Sequence, residues 1–212
     1  GYDQSGSPGL TGKINYKNVT YLRNIDMLMM TATKKRIIES AIQVFNEDLS
    51  APLQKVADNA AVTRRTLHRY FKDRSDLVEI CRQAIEISCK KAMITAIQSS
   101  DEPLIQLEKM LYAGIDCGAK YATFYSMHRN PDHIHTRQNK NCADYDYIYS
   151  TFQQIILKLQ KTGKLNPKMS PEWIQVLHSG IIESTVNARE TQQNIEDIKQ
   201  LAWTSYFKAI SP

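Results

Sequence analysis

No apolar run in the 212 residues approaches the ~20 residues that a membrane-spanning helix needs. The first thirty residues lack the charged start, apolar stretch and small-residue cleavage site of a secretory signal. Together these absences predict a cytoplasmic protein. Cysteine is sparse: Cys81, Cys89, Cys117 and Cys142 stand at spacings that fit neither paired zinc ligands nor a dense disulfide framework. Reduced thiols are expected, three of them in helical patterns where a free Cys behaves as a small apolar residue. With 8 Gly and 7 Pro the chain is neither fibrous nor broadly disordered. It also lacks Gly-x-Ser-x-Gly, Gly-x-Gly-x-x-Gly, a phosphate-binding loop and His-Glu-x-x-His, and no nucleophile has a local base. The sequence therefore predicts no enzyme and no cofactor.

What the chain does have is a local excess of positive charge. The net charge is +5, of which residues 31 to 95 contribute +4 and residues 96 to 212 contribute nothing. Between residues 62 and 74, Arg64, Arg65, Arg69, Lys72 and Arg74 stand against Asp73 alone. A basic module joined to a neutral one points to a polyanionic partner.

Residues 1 to 30 show no helical period and read as a flexible tail or an over-extended start. From there the apolar spacing is helical to the end of the chain, which predicts an all-α fold. Ile37, Ala41, Val44 and Phe45 form one stripe on a first helix, capped by Thr31 or Thr33. Ser50, Ala51 and Pro52 open a short second helix carrying Leu53, Val56, Ala57 and Ala60. Thr63 caps a third helix that runs to about Tyr70, and Ser75 or Asp76 starts a long fourth with Leu77, Ile80, Cys81, Ala84 and Ile85. Three short helices with a tight turn before the third make a helix-turn-helix over residues 31 to 75, ahead of a helical domain over residues 76 to 212. Advancing about 100° per residue from Thr63 places Leu67 near 40° and Phe71 near 80°. Arg64, Arg65, His68, Arg69 and Lys72 then fall between about 100° and 240°, opposite the apolar anchor, as a major-groove reader requires. By position, Arg64, Arg65 and His68 are candidates for base edges. Thr63, Thr66, Tyr70, Lys72 and Arg74 are candidates for phosphates, as are Lys34 and Lys35 at the start of the first helix, and Arg69 suits either purpose.

The stretch "PLQKVADNAAVTRRTLHRYFKDRSDL" resembles the N-terminal domain of the tetracycline-repressor (TetR) family. The order Val56-Ala57, Ala60, Val62-Thr63, Thr66-Leu67, Tyr70-Phe71 and Leu77 carries the resemblance, which spans residues 33 to about 90. It implies a homodimer that binds double-stranded operator DNA and represses transcription until a small-molecule effector enters the C-terminal domain. Two residues depart from the family pattern. Ala61 stands where Gly is usual, which costs roughly 1 kcal/mol if the turn needs positive φ. His68 stands where Tyr is usual, so base contacts do not carry over from relatives.

Beyond residue 96 the pattern predicts helices through Leu104, Leu107, Leu111 and Ile115, then from about Tyr145 to Leu159, and a final pair over 171 to 189 and 194 to 209. "GIDCG", Gly114 to Gly118, reads as a close helix contact. The final pair is apolar over too wide an arc for one-sided burial. A four-helix dimer interface through Ile174, Leu177, Ile181, Ile198, Ala202, Trp203 and Phe207 is therefore expected, as the family resemblance also implies. Tyr112, Tyr121, Phe124, Tyr125, Tyr145, Tyr149 and Phe152, with Trp173 and His178, are candidate effector residues, against the alternative that they simply pack the core. A DNA-binding protein without an effector, on the same scaffold, remains the competing expectation. His128, Asp132, His133, His135 and Cys142 share a polar loop, but their spacing does not make a metal site, and none is expected.

Overall fold

The computed structural model describes residues 30–120, 143–188 and 194–212. The expected tail, Met30 apart, and the His128 to Cys142 loop lie outside the described residues. Among the described residues there are eight helices and no strand. They are α1 (Ala32–Glu47), α2 (Leu53–Asn59), α3 (Arg64–Tyr70), α4 (Arg74–Gln98), α5 (Pro103–Lys120), α6 (Ala143–Lys161), α7 (Pro171–Ala188) and α8 (Ile195–Ile210).

The N-terminal helices form where the apolar period and caps require them. Thr31 accepts a hydrogen bond from the Lys34 N–H at 3.2 Å and starts α1. Its inner face buries Ile37, Ala41, Val44 and Phe45. Helix α2 ends in the paired bonds of a left-handed cap, Val62 N–H to Ala57 O at 2.9 Å and Ala61 N–H to Asp58 O at 3.0 Å. That geometry puts Ala61 at φ 50°, the position where glycine is normally needed. Val62 packs back on the cluster that holds Ala57, the apolar contact such a cap usually makes.

The fourth helix begins earlier than the sequence suggests. Its cap is Asp73, not Ser75 or Asp76, because the Asp73 carboxylate accepts from Asp76 N–H while the Asp76 carboxylate accepts from Lys72 N–H, each at 2.9 Å. The two carboxylates satisfy two backbone donors, the N–H groups of Asp76 and Lys72.

Helix α4 joins two hydrophobic clusters. The first takes α1, α2, α3 and the α4 residues Leu77, Cys81 and Ile85, with Cys89 packed at its edge. The second begins at Met93 and Ala96 and takes α5 to α8. The clusters therefore meet inside α4, between residues 89 and 93. Helices α5 and α7 pack closely: a methyl on Gly114 would come within 2.4 Å of Ile182, and one on Gly118 within 2.6 Å of Val186. At the far end Tyr206 of α8 donates to the Ile174 carbonyl of α7 at 3.2 Å.

A left-handed alanine costs about 1 kcal/mol relative to glycine. Ala61→Gly is therefore expected to raise unfolding stability by about that amount, read as a higher urea midpoint at unchanged slope. An unchanged or lower midpoint would show that the turn is not strained.

Candidate nucleic-acid interface and aromatic cluster

Helix α3 is held from behind and open in front. Leu67 and Phe71 are 0% and 1% exposed, whereas Arg64, Arg65, His68 and Arg69 are exposed. Thr63 caps the helix by accepting from Thr66 N–H at 3.1 Å, and the two threonine hydroxyls lie 3.0 Å apart. Among the described residues, Arg64, Arg65 and His68 have no hydrogen-bond or ion-pair partner. Their charge and donors face water, the arrangement in which guanidinium groups reach base edges.

The end of α3 and the start of α1 form one polar corner. The Thr31 hydroxyl donates to the Tyr70 hydroxyl at 3.3 Å, and Arg69 donates to the same oxygen at 3.4 Å with its guanidinium 5.1 Å from the ring centroid. The hydrogen bond from Thr31, and then that from Arg69, hold the Tyr70 phenol below its ordinary range. Lys34 sits 6.0 Å above the Phe71 ring, and Lys35 pairs loosely with Glu39 at 3.9 Å in the open. Thr31 belongs to this corner, although the sequence marks it only as a cap. Arg74 departs from its expected place. Its guanidinium donates to the carbonyls of Leu49 and Ala51 and lies 4.6 Å from the Phe45 ring, so it fastens the α1–α2 loop to α4. Those carbonyls need donors once the loop is folded, and Arg74 is the cation that reaches them.

In the C-terminal helices the expected effector residues separate. Phe152, His178 and Tyr206 stack edge to face, with centroids 5.1 and 5.5 Å apart. His178 is 6% exposed, and among the described residues its Nε2 has no hydrogen-bond partner. Burial pushes the imidazole down to about 4, so it is neutral near pH 7. The hydroxyl of Tyr112, by contrast, donates to Glu108 at 2.8 Å, and burial, then that bond, raises its pKa. Tyr149 is 47% exposed and Trp173 is 52% exposed. Trp173 thus lies on the outer side of α7, away from the core where an enclosed ligand would contact it. Tyr121, Phe124 and Tyr125, and the side chain of Tyr145, lie outside the described residues.

No protein-family model matches the chain, and no curated protein matches it in sequence. Solved structures do match. The ketosteroid transcriptional regulator KstR2 of Mycobacterium tuberculosis has a TM-score of 0.68 at 12% identity, covering 87% of this chain and 97% of its own. The TetR-like transcriptional regulator LfrR of Mycobacterium smegmatis, solved in complex with proflavine, has a TM-score of 0.64 at 19% identity, covering 85% and 97%. A TetR-family regulator from Rhodococcus sp. has a TM-score of 0.60 at 15% identity, covering 85% and 99%. The chain has the TetR-like fold.

The last two helices divide their apolar residues between an inner and an outer face. Ile174, Ile198 and Ala202 are 0%, 4% and 6% exposed, so they belong to the protomer's own core rather than to an outer face. Leu177, Ile181, Trp203 and Phe207 are half-buried, the last two stacked at 5.4 Å. The outward apolar residues are Trp173, Val176 and Leu201, and a methyl on Gly180 would meet open space. Period alone gives two apolar stripes per helix. It does not say which stripe the protomer uses first.

The buried imidazole of His178 has a thermodynamic consequence. Its folded pKa, near 4, lies below the unfolded value of 6.5, so between these pH values the unfolded chain binds a proton that the folded chain refuses. Stability therefore falls as pH drops from 6.5 toward 4. At 1.36 kcal/mol per pH unit the loss between pH 7.5 and 5.0 is about 2 kcal/mol. Urea unfolding across that range is expected to show it, and His178→Gln to remove it. A slope that survives the substitution would assign the effect to another group.

Proposed function

We propose that the protein is a DNA-binding transcriptional regulator that acts as a homodimer, holds an operator through one α3 per subunit, and releases it when a small molecule binds among the C-terminal helices. The observation that carries this reading is the unpaired outward face of Arg64, Arg65 and His68 on a helix anchored by buried Leu67. The three residues read base edges. An arginine bidentate to guanine contributes about 1–3 kcal/mol of discrimination. Lys72, Lys34 and the Thr31, Arg69 and Tyr70 corner hold phosphates, which set register.

Release follows from the place of α4. Two recognition helices fit successive major grooves only near a separation of about 34–36 Å or a multiple of it. Since α4 enters both clusters, a change in packing around α5 to α8 tilts the α3 support. A ligand shifts this balance by its differential affinity for the two arrangements and by no more. The unsatisfied Nε2 of His178 supplies the polar contact for that ligand inside an apolar wall. LfrR, of the same fold, was solved in complex with proflavine, which supports a ligand role. The competing reading is a DNA-binding protein with no effector, and the packing of Phe152 and Tyr206 directly against His178 favours it. For the dimer, Trp173 and Val176 on α7 supply the outward apolar surface.

Sequencing duplexes selected from a random pool by the purified protein tests the central claim: one recovered palindromic motif supports it, and no enrichment rejects it. On that motif, Arg64→Ala and Arg65→Ala are expected to relax preference at particular base pairs. Lys72→Ala is expected to weaken all duplexes alike and to reduce the salt slope by about one. Equal losses on selected and random duplex for all three variants would refute the division of roles. Val176→Asp places a charge in the proposed apolar dimer face and is expected to shift sedimentation toward monomer at micromolar concentration. A wild-type protein already monomeric there would reject the dimer.

A further inference from the structure

Beyond the first cluster, one face of α4 lines a groove against α5. Ser88, Lys91, Ala92 and Thr95 lie there at helical spacing, opposite Lys109 and Ala113 of α5, with the first turn of α8 closing one end. With Ala92 and Ala113 between them, these residues line a groove of about 630 Å³ that is open to solvent.

The charges around this groove are unevenly matched. Lys199 of α8 is 8% exposed, and its ammonium is 2.6 Å from Asp116 and 3.0 Å from Glu196. Both carboxylates are thus committed to one cation. Among the described residues Lys91 has no carboxylate partner, and Lys109 contacts only the Tyr112 ring, at 5.9 Å. An apolar occupant would desolvate these ammonium groups and return nothing for it. A dianion with charge at both ends would meet the Asp116 and Glu196 carboxylates. The fitting ligand carries one acidic group and an uncharged remainder.

We propose that the α4–α5–α8 cleft binds a small molecule through one carboxylate or phosphate group, held by Lys91 and Lys109 with Ser88 and Thr95 as hydrogen-bond donors. This site is separate from the Phe152, His178 and Tyr206 cluster. Its occupant braces the second half of α4 against α5 and α8, and the consequence for operator affinity rests on the regulator function proposed above.

The test is local and needs no DNA. Full-length protein labelled at alanine methyls is titrated with inorganic phosphate or with butyrate, against chloride at matched ionic strength. Saturable shifts of the Ala92 and Ala113 methyls are expected, without matching shifts at Ala57 beneath the α3 support. A response to phosphate alone, or to butyrate alone, supports the proposal and names the acid. The paired substitution Lys91→Gln with Lys109→Gln changes two exposed side chains and is expected to weaken binding at least about tenfold, in line with the loss of two charge-assisted contacts. Shifts no larger than those with chloride would overturn the proposal, and so would saturation unchanged in the double variant. Failure to select an operator leaves this result standing, so the two claims can fall separately.

Discussion

Leu67 and Phe71 leave water together, and what α3 offers a partner depends on that event. The helix has seven residues, too few to persist alone in water. Two fully buried side chains supply about 1.5–3 kcal/mol each, enough to hold one short helix against the cost of ordering it. Because both anchors lie on one arc, Arg64, Arg65, His68 and Arg69 are left facing solvent. The cations of α3 are thus exposed as a geometric result of apolar burial, before any electrostatic preference is considered.

Helix α4 carries the same constraint across the molecule. Its first half contributes Leu77, Cys81 and Ile85 to the cluster that supports α3, and its second half packs among α5 to α8. Between them the helix is polar: Lys90, 5% exposed, pairs with Glu86 at 2.8 Å, and Glu86 lies 3.5 Å from Arg82. A buried pair of this kind is held by geometry rather than by area, and it tolerates little displacement of its partners. One continuous helix therefore enters both clusters.

Much of this was legible in the sequence. The apolar period placed the eight described helices to within a few residues, and Thr31 and Thr63 cap as their side chains suggest. The close contact at Gly114 and Gly118 was also readable, since only a missing side chain lets α5 approach Ile182 and Val186 so nearly. What the period could not carry was the choice among equivalent partners. Asp73, Ser75 and Asp76 can each cap a helix, and the reciprocal bonds select Asp73. Arg74 is one more cation in a basic stretch of sequence, yet the carbonyls it meets belong to a loop 23 and 25 residues away. Ile174 and Trp173 are adjacent apolar residues on a helix that is apolar on two sides, and only tertiary packing sends one inward and the other out. The α4–α5–α8 cleft is defined by side chains that are small, which a search for conspicuous residues passes over.

The distribution of cations separates structure from function. Where a positive group serves the fold, it is satisfied: Arg74 by two carbonyls, Lys199 by two carboxylates, Lys90 by Glu86. On α3, Arg65 and Arg69 stand four residues apart, the spacing at which like charges destabilise a helix by a few tenths of a kcal/mol. The turn that aims this helix holds a strained alanine. A chain that satisfies its buried cations so fully has no folding reason to leave Arg64 and Arg65 without a partner among the described residues. Local rules broken together at one surface mark a place shaped by something other than stability, and a polyanion laid along α3 removes the repulsion that the isolated protein carries there.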